Sequence, residues 1–350
     1  MKKVILAVMV CLALPAVASA TIDYTADTTI TVSTVTDGNV HVGTASPGCT
    51  VTLQGAGTWT GLTGNLQIGR SDHAIGTLIV DGATLSASAV LWDGYSNNTG
   101  TVTVQNSGSF SLTGGSVSNV GPSGTGTFNI SSGIASFAAG LNVGHSYSNG
   151  VPGTGYFNQS GGTVTMASNK SLTVGSSIVG TLSTGTYTIS GGSLTVGDAV
   201  GGVLDLSISG GTALFHVNGS GATSIWTNTL STYAGHSTLK FTLDAGGVDP
   251  ITAVYLKGGA SASQTNDKVE GVVDMAGTGT VNTWYDLIIK SGSSTTLDIT
   301  SLSLASGDAT DWILDSSVGG KVRVGYQIPE PATMGLLGLG LLGLVLRRRK

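Results

Sequence analysis

From Gly76 to Gly202 the apolar side chains come in short bursts at every second position, as in Val102 and Val104, Phe128 and Ile130, Tyr187 and Ile189, Leu194 and Val196. A period of two puts alternate side chains on one face of an extended chain, so each burst predicts a short strand with one buried and one solvated face. Ser-Gly or Gly-Gly steps at Gly108, Gly133, Gly162 and Gly192 interrupt the bursts at nearly fixed offsets. Glycine enters the left-handed backbone region without the cost a Cβ imposes, so these steps predict turns.

The bursts belong to a repeated phrase. It reads GTLIVDGATLSAS from Gly76, GTVTVQNSGSFSLTG from Gly100, GTFNISSGIASFAAG from Gly126, GYFNQSGGTVTMAS from Gly155 and GTYTISGGSLTVGD from Gly185, at spacings of 24, 26, 29 and 30 residues. A second phrase, Leu-x-x-Gly, precedes four of these at residues 66–69, 91–94, 141–144 and 172–175; the third unit carries residues 117–121 there, starting from Val117 and one residue longer. A weaker sixth unit starts near Gly202. Self-similarity at this period means stacked units, and two or three short strands per unit make one coil of a solenoid. The expected fold is all-β, a right-handed parallel β-helix with a C-terminal β cap. A β-sandwich of the same strands is the competing fold, but it has no need of a repeating glycine frame.

The expected limits are residues 21–60 for an N-terminal cap and first coil, 61–222 for the β-helix repeats and 223–327 for the last coils and cap. Lys240, Lys257, Lys268 and Lys290 fall in that last part, where charges help prevent end-to-end association of an open edge. Loops of variable length (GRSDHAIG, GYSNNTG, GHSYSNGVPGTG) are expected to project from one corner, the best place for a functional surface.

Both ends carry addresses. Lys2 and Lys3, the apolar residues 4–14 and the small residues Ala18, Ser19 and Ala20 form a signal peptide with cleavage after Ala20. The Sec translocon and signal peptidase are therefore the first expected partners. At the other end Pro329, Glu330 and Pro331 are followed by an uncharged run, 332–346, and by Arg347, Arg348, Arg349 and Lys350. Fifteen residues span about 22 Å as a helix, short for a hydrocarbon core of about 30 Å. The cations would stay on the cytoplasmic side, leaving the rest of the chain outside.

That order of Pro-Glu-Pro, short Gly/Leu-rich transmembrane helix and basic terminus resembles the PEP-CTERM sorting tail of Gram-negative bacteria. The resemblance covers the final twenty-two residues. It implies an exosortase-type membrane protease as partner and cleavage near Pro329 to Pro331. It also implies transient anchoring in the inner membrane, then a cell-surface or extracellular location alongside exopolysaccharide. An ordinary single-span anchor is the alternative. The repeats between about 60 and 220 look like the autotransporter or passenger-type β-helix repeats often found ahead of such tails. That similarity rests on glycine placement and alternation and implies a fold, not an activity.

With both ends removed, residues 21–328 carry eight Lys/Arg against eighteen Asp/Glu, a net charge of −10. Such a chain lacks the cations that phosphate backbones require, which excludes nucleic acid as a partner. Charged residues make up 9% of the chain where about a quarter is usual, so candidate catalytic groups are few. Cys49 is the one cysteine outside the signal peptide and has no intrachain partner, so stability must come from packing and backbone hydrogen bonds.

The repeats hold only Arg70 and Lys170 as cations, and Asp72-His73 beside Arg70 is their densest polar cluster. Asp81 and Asp205 stand alone, Asp93 sits in a Leu-x-x-Gly turn where a side-chain cap is the ordinary role, and Asp308, Asp311 and Asp315 flank Trp312. His41, His73, His145, His216 and His236 lie in separate units without metal-ligand spacing. No calcium nonapeptide and no phosphate-loop lysine is present, so no cofactor or metal is expected. Among the aromatics at turns and loop margins (Trp59, Trp92, Tyr95, Tyr147, Tyr156), Trp92 and Tyr95 are the candidate glycan contacts. The expected function is that of an exported structural or adhesive protein, not an enzyme. The alternatives are a polysaccharide-binding module, or a polysaccharide lyase or hydrolase on the same scaffold.

Overall fold

The computed structural model describes residues 20–31, 34–35, 38–44, 47–70, 73–146, 151–177, 182–207, 210–259, 265–277, 279–305 and 311–327. The described residues are all-β and wind into a parallel solenoid of about nine turns. Each turn gives a strand to each of three ladders. The first ladder runs through β1 (Ala20–Tyr24), β4 (Gly38–Val42), β7 (Asn65–Ile68), β10 (Val90–Asp93), β13 (Ser118–Pro122), β16 (Leu141–Ser146), β18 (Ser171–Ser177) and β20 (Val203–Leu206). The second passes from β2 (Thr28–Ile30) through β5 (Cys49–Gln54), β8 (Ile75–Asp81), β11 (Thr99–Gln105) and β14 (Thr125–Ile130). The third passes from β3 (Thr34–Val35) through β6 (Thr58–Thr60), β9 (Thr84–Ala87), β12 (Ser109–Leu112) and β15 (Ile134–Phe137). The long strands β17 (Thr154–Met166) and β19 (Thr184–Val196) bend at Gly162 and Gly192 to serve the second and third ladders in turn.

Gly76, Gly100, Gly126, Gly155 and Gly185 occupy equivalent positions in successive turns, as the repeat requires. The glycines that close Leu-x-x-Gly are equivalent too. Gly69, Gly94, Gly121, Gly144 and Gly175 all have φ between +68° and +73°. A Cβ on Gly121 would strike the Thr154 carbonyl of the next turn, and one on Gly144 the Thr184 carbonyl. The corner is therefore held in a conformation that only glycine adopts cheaply and is packed backbone to backbone. In the next turn Ser207 takes the position at φ +73°, and its hydroxyl bonds the Gly211 carbonyl.

Inside the rod the alternate residues stack. Phe128, Phe157, Tyr187 and Phe215 lie face to face in four successive turns, with ring centroids 4.7, 4.7 and 5.2 Å apart. A lone polar pair is accommodated among them. The Tyr187 hydroxyl donates to Gln159 Oε1 at 2.7 Å and Gln159 Nε2 donates to the Ser193 carbonyl at 2.9 Å, so neither buried group is left without a partner.

Two details of the turns depart from the expected frame. In the third unit Ser118, not Val117, fills the inward position of the leucine phrase; it is buried and its hydroxyl accepts the Leu91 N–H at 3.2 Å, while Val117 faces solvent. At the Gly108 turn the left-handed residues are Asn106 and Ser107, with φ of +52° and +63°. From residue 212 the ladders continue through β21 (Thr212–Asn218), β22 (Ala222–Thr232), β23 (Ser237–Thr242), β24 (Ile251–Gly258), β26 (Gly271–Ala276) and β28 (Leu302–Leu304), with the short β25 (Thr265–Asn266) antiparallel to β24. The end is closed by an antiparallel sheet in which β30 (Lys321–Tyr326) lies between β27 (Trp284–Lys290) and β29 (Trp312–Asp315).

Candidate functional site

The outward positions of the first ladder make one polar column in register, from Asp23 and His41 through Gln67, Trp92, Asn119, Asn142 and Thr173 to Asp205. Several are nearly buried although they point away from the core. Asn142 Nδ2 donates to Asn119 Oδ1 at 2.9 Å, tying neighbouring turns together. Near the start of the column His41 Nδ1 meets Asp23 Oδ1 at 2.6 Å, and Arg70 Nη1 lies 2.7 Å from the same nitrogen. Burial lowers the His41 pKa against the pull of Asp23, and Arg70 adds to the lowering. Asp72 lies outside the described residues, and His73 beside it has φ +61°.

The aromatic residues do not gather in one row. Trp59 points inward, is fully buried and packs edge-on against Tyr24 at 5.9 Å between centroids. Trp92 stands half-buried in the polar column with Tyr95 edge-on at 5.0 Å, so these two residues do form a pair at the corner. Tyr156 projects from the second ladder, 40% exposed, and Tyr147 lies outside the described residues.

Asp81, Asp93, Asp205 and Asp315 lie on separate strands. Asp93 points into the core, in the column that Ile68 and Val120 occupy in the turns on either side. Neither of its oxygens has a full hydrogen-bond partner. Burial drives the carboxyl well above its usual range, and the opposing pull of the Thr127 backbone N–H does not offset it. The turn-capping role expected for Asp93 is thus replaced by an interior one. Asp205 sits outward four turns on, where burial pushes its carboxyl up to about 7 against a hydrogen bond from Tyr233. Asp81 accepts from Asn106 Nδ2 at 2.5 Å, and Asp315 pairs with Arg323 and accepts the Ser317 N–H. Asp308 lies outside the described residues. Cys49 is buried, its thiol donating to the Tyr24 carbonyl at 3.1 Å. Among the described residues no group of three His, Cys, Asp or Glu side chains is placed to hold a metal ion.

The remaining candidate lies just past the last strand, where β30 ends at Tyr326 and the chain continues toward Pro329. Residues 327–350 match the PEP-CTERM protein-sorting motif. A PEP-CTERM tail implies an exported protein processed by an exosortase-type system. The residues that would carry that processing, Pro329, Glu330, Pro331, Arg347, Arg348 and Arg349, lie outside the described residues, as does Ala18 of the signal segment. Ala20, at the expected signal cleavage, opens β1. No helix among the described residues is long and apolar enough to cross a membrane. Neither a curated protein nor a solved structure matches the chain.

Proposed function

We propose that this chain is an exported, non-enzymatic rod that serves as a structural or adhesive component of the cell surface or extracellular matrix. It is held briefly at the inner membrane by its PEP-CTERM tail before release. The observation that carries the reading is the pairing of that tail with a parallel β-solenoid whose outward positions in the repeats are mostly Ser, Thr and Asn. Asp81 lies on the second ladder, and Asp93 and Asp205 lie on opposite faces of the first, four turns apart; this supports a passive role, because hydrolysis of a glycosidic bond requires two carboxylates within about 5 to 9.5 Å. Mass spectrometry of the cell-associated and released protein tests it. The mature form should begin at Thr21 and the released form should end near Pro329 to Pro331. An intact terminus at Lys350 in both fractions would overturn sorting by proteolysis.

A further inference from the structure

The outward face of the third ladder is built from hydroxyls. Two columns run along it, one from Thr58 to Ser224 and one from Thr60 to Thr252, and every position in them is Ser or Thr except Ile134 and Trp226. No charge interrupts either column. Neighbouring turns are about 4.8 Å apart and the two columns about 6.6 Å apart, the spacings of any sheet, so the hydroxyls recur at regular intervals along the face. Some are already aligned by bonds between turns, with Ser136 donating to Ser111 at 2.9 Å and Ser193 to Thr163 at 3.3 Å.

Two further features lie on the same line. Trp226 stands outward and half-buried in the second column, directly after Thr195. Beyond it the column reaches Thr252 and Ile289, which line an open cavity of about 550 Å³ together with Ser291, Ser293 and Ser294. The two lysines at this cavity are neutralised, Lys290 by Asp267 and Lys321 by Asp286, both at 2.5 Å.

We infer that the third ladder is a binding face for a neutral, extended polysaccharide laid along the rod axis, with Trp226 and the cavity receiving part of the chain. A hydroxyl both donates and accepts, as sugar hydroxyls do, so the face matches a polyol without selecting an ion. An extended hexopyranose chain advances about one ring per rung, which lets successive sugars meet successive turns. The Trp226 indole offers an apolar surface to the C–H side of a ring. Each exchange of water for a sugar hydroxyl is nearly neutral, so retention depends on many rungs acting together and fails when their regularity is broken. The inference goes beyond the scaffold reading, which would survive its failure.

The test is a pull-down of the mature chain on insoluble cellulose, chitin and mannan, with alginate as an acidic comparison. Retention is expected on at least one neutral polymer. It should fall at least tenfold in Thr165→Lys, in Ser111→Lys and in Trp226→Ala, and stay unchanged in Thr103→Lys, whose side chain faces outward from the second ladder. Circular dichroism selects the variants that keep the fold. No retention on any neutral polymer, preference for alginate, equal loss in Thr103→Lys, or shaping of ice crystals without polymer retention would each overturn the inference.

Discussion

The repeats and the cap solve the same problem with different chemistry. Between Gly76 and Val196 the turns are joined by backbone ladders, by Ser, Thr and Asn bonds between rungs, and by glycine corners that leave no room for a Cβ. In the last turns and cap, Lys240 pairs with Asp274, Lys268 with Glu270, Lys290 with Asp267, Lys321 with Asp286 and Arg323 with Asp315; among the described residues every Lys or Arg ion pair lies in this part. A turn with a neighbour on each side is aligned by its backbone. Toward the end of the solenoid the ladders run out of strands, and there directional charge pairs and an antiparallel sheet add to the alignment.

The sharpest way to break this comparison is to place the same substitution at glycines of equal conformation in both regions. Gly121 and Gly292 have φ of +70° and +69°, but a Cβ on Gly121 meets the Thr154 carbonyl whereas one on Gly292 meets nothing within 4 Å. Gly121→Ala should cost about 4 kcal/mol or more, strain and collision together, and Gly292→Ala only about 1 kcal/mol. Urea unfolding measures both, and equal losses would show that the corners are not packed as described.

Next in size is a dependence on pH. Asp205 titrates at about 7 in the folded protein but near 3.8 when unfolded, so the folded state holds a proton that the unfolded state releases. Its contribution is intact below about pH 4 and is lost as pH rises toward 7, by up to about 4 kcal/mol at about 1.4 kcal/mol per pKa unit. Asp205→Asn should flatten the rise in melting temperature on acidification over that window. Asp93 shifts in the same direction, also through burial, so an unchanged slope in the double variant Asp205→Asn, Asp93→Val would remove both groups as its source. The smallest effect belongs to the surface of the last turns. Lys240 and Asp274 meet at 3.0 Å but are each about a third exposed, so Lys240→Ala should cost about 0.5 kcal/mol at low salt and nothing measurable at high salt.

Much of the rod can be read directly from the residues, for reasons that differ by position. The glycine frame is legible because a left-handed corner admits few other residues, and the spacing of Gly76, Gly100 and Gly126 already contains the turn length. Hydrophobicity favoured Val117 as the inward residue, yet counting three back from Gly121 gives Ser118, and backbone geometry prevails over side-chain preference. The same count gives Asp93 away. Ile68, Val143 and Val174 precede their glycines, and Asp93 precedes Gly94 in the equivalent place. The contact of His41 with Arg70 spans 29 residues and depends on the length of one whole turn, which loop variation hides. The hydroxyl columns were hidden differently, because Ser and Thr fill outward positions throughout the chain and only the register shows which of them share a face. The terminal motif needs no fold at all to be recognised.

The placement of β30 bears on how a tethered form of the molecule would carry load. Were the tail held in a membrane, as proposed, drag on the rod would enter through Tyr326 into a strand paired with β27 on one side and β29 on the other. Force applied in that direction shears many hydrogen bonds at once rather than peeling them singly, which is the stronger way to fasten a tether.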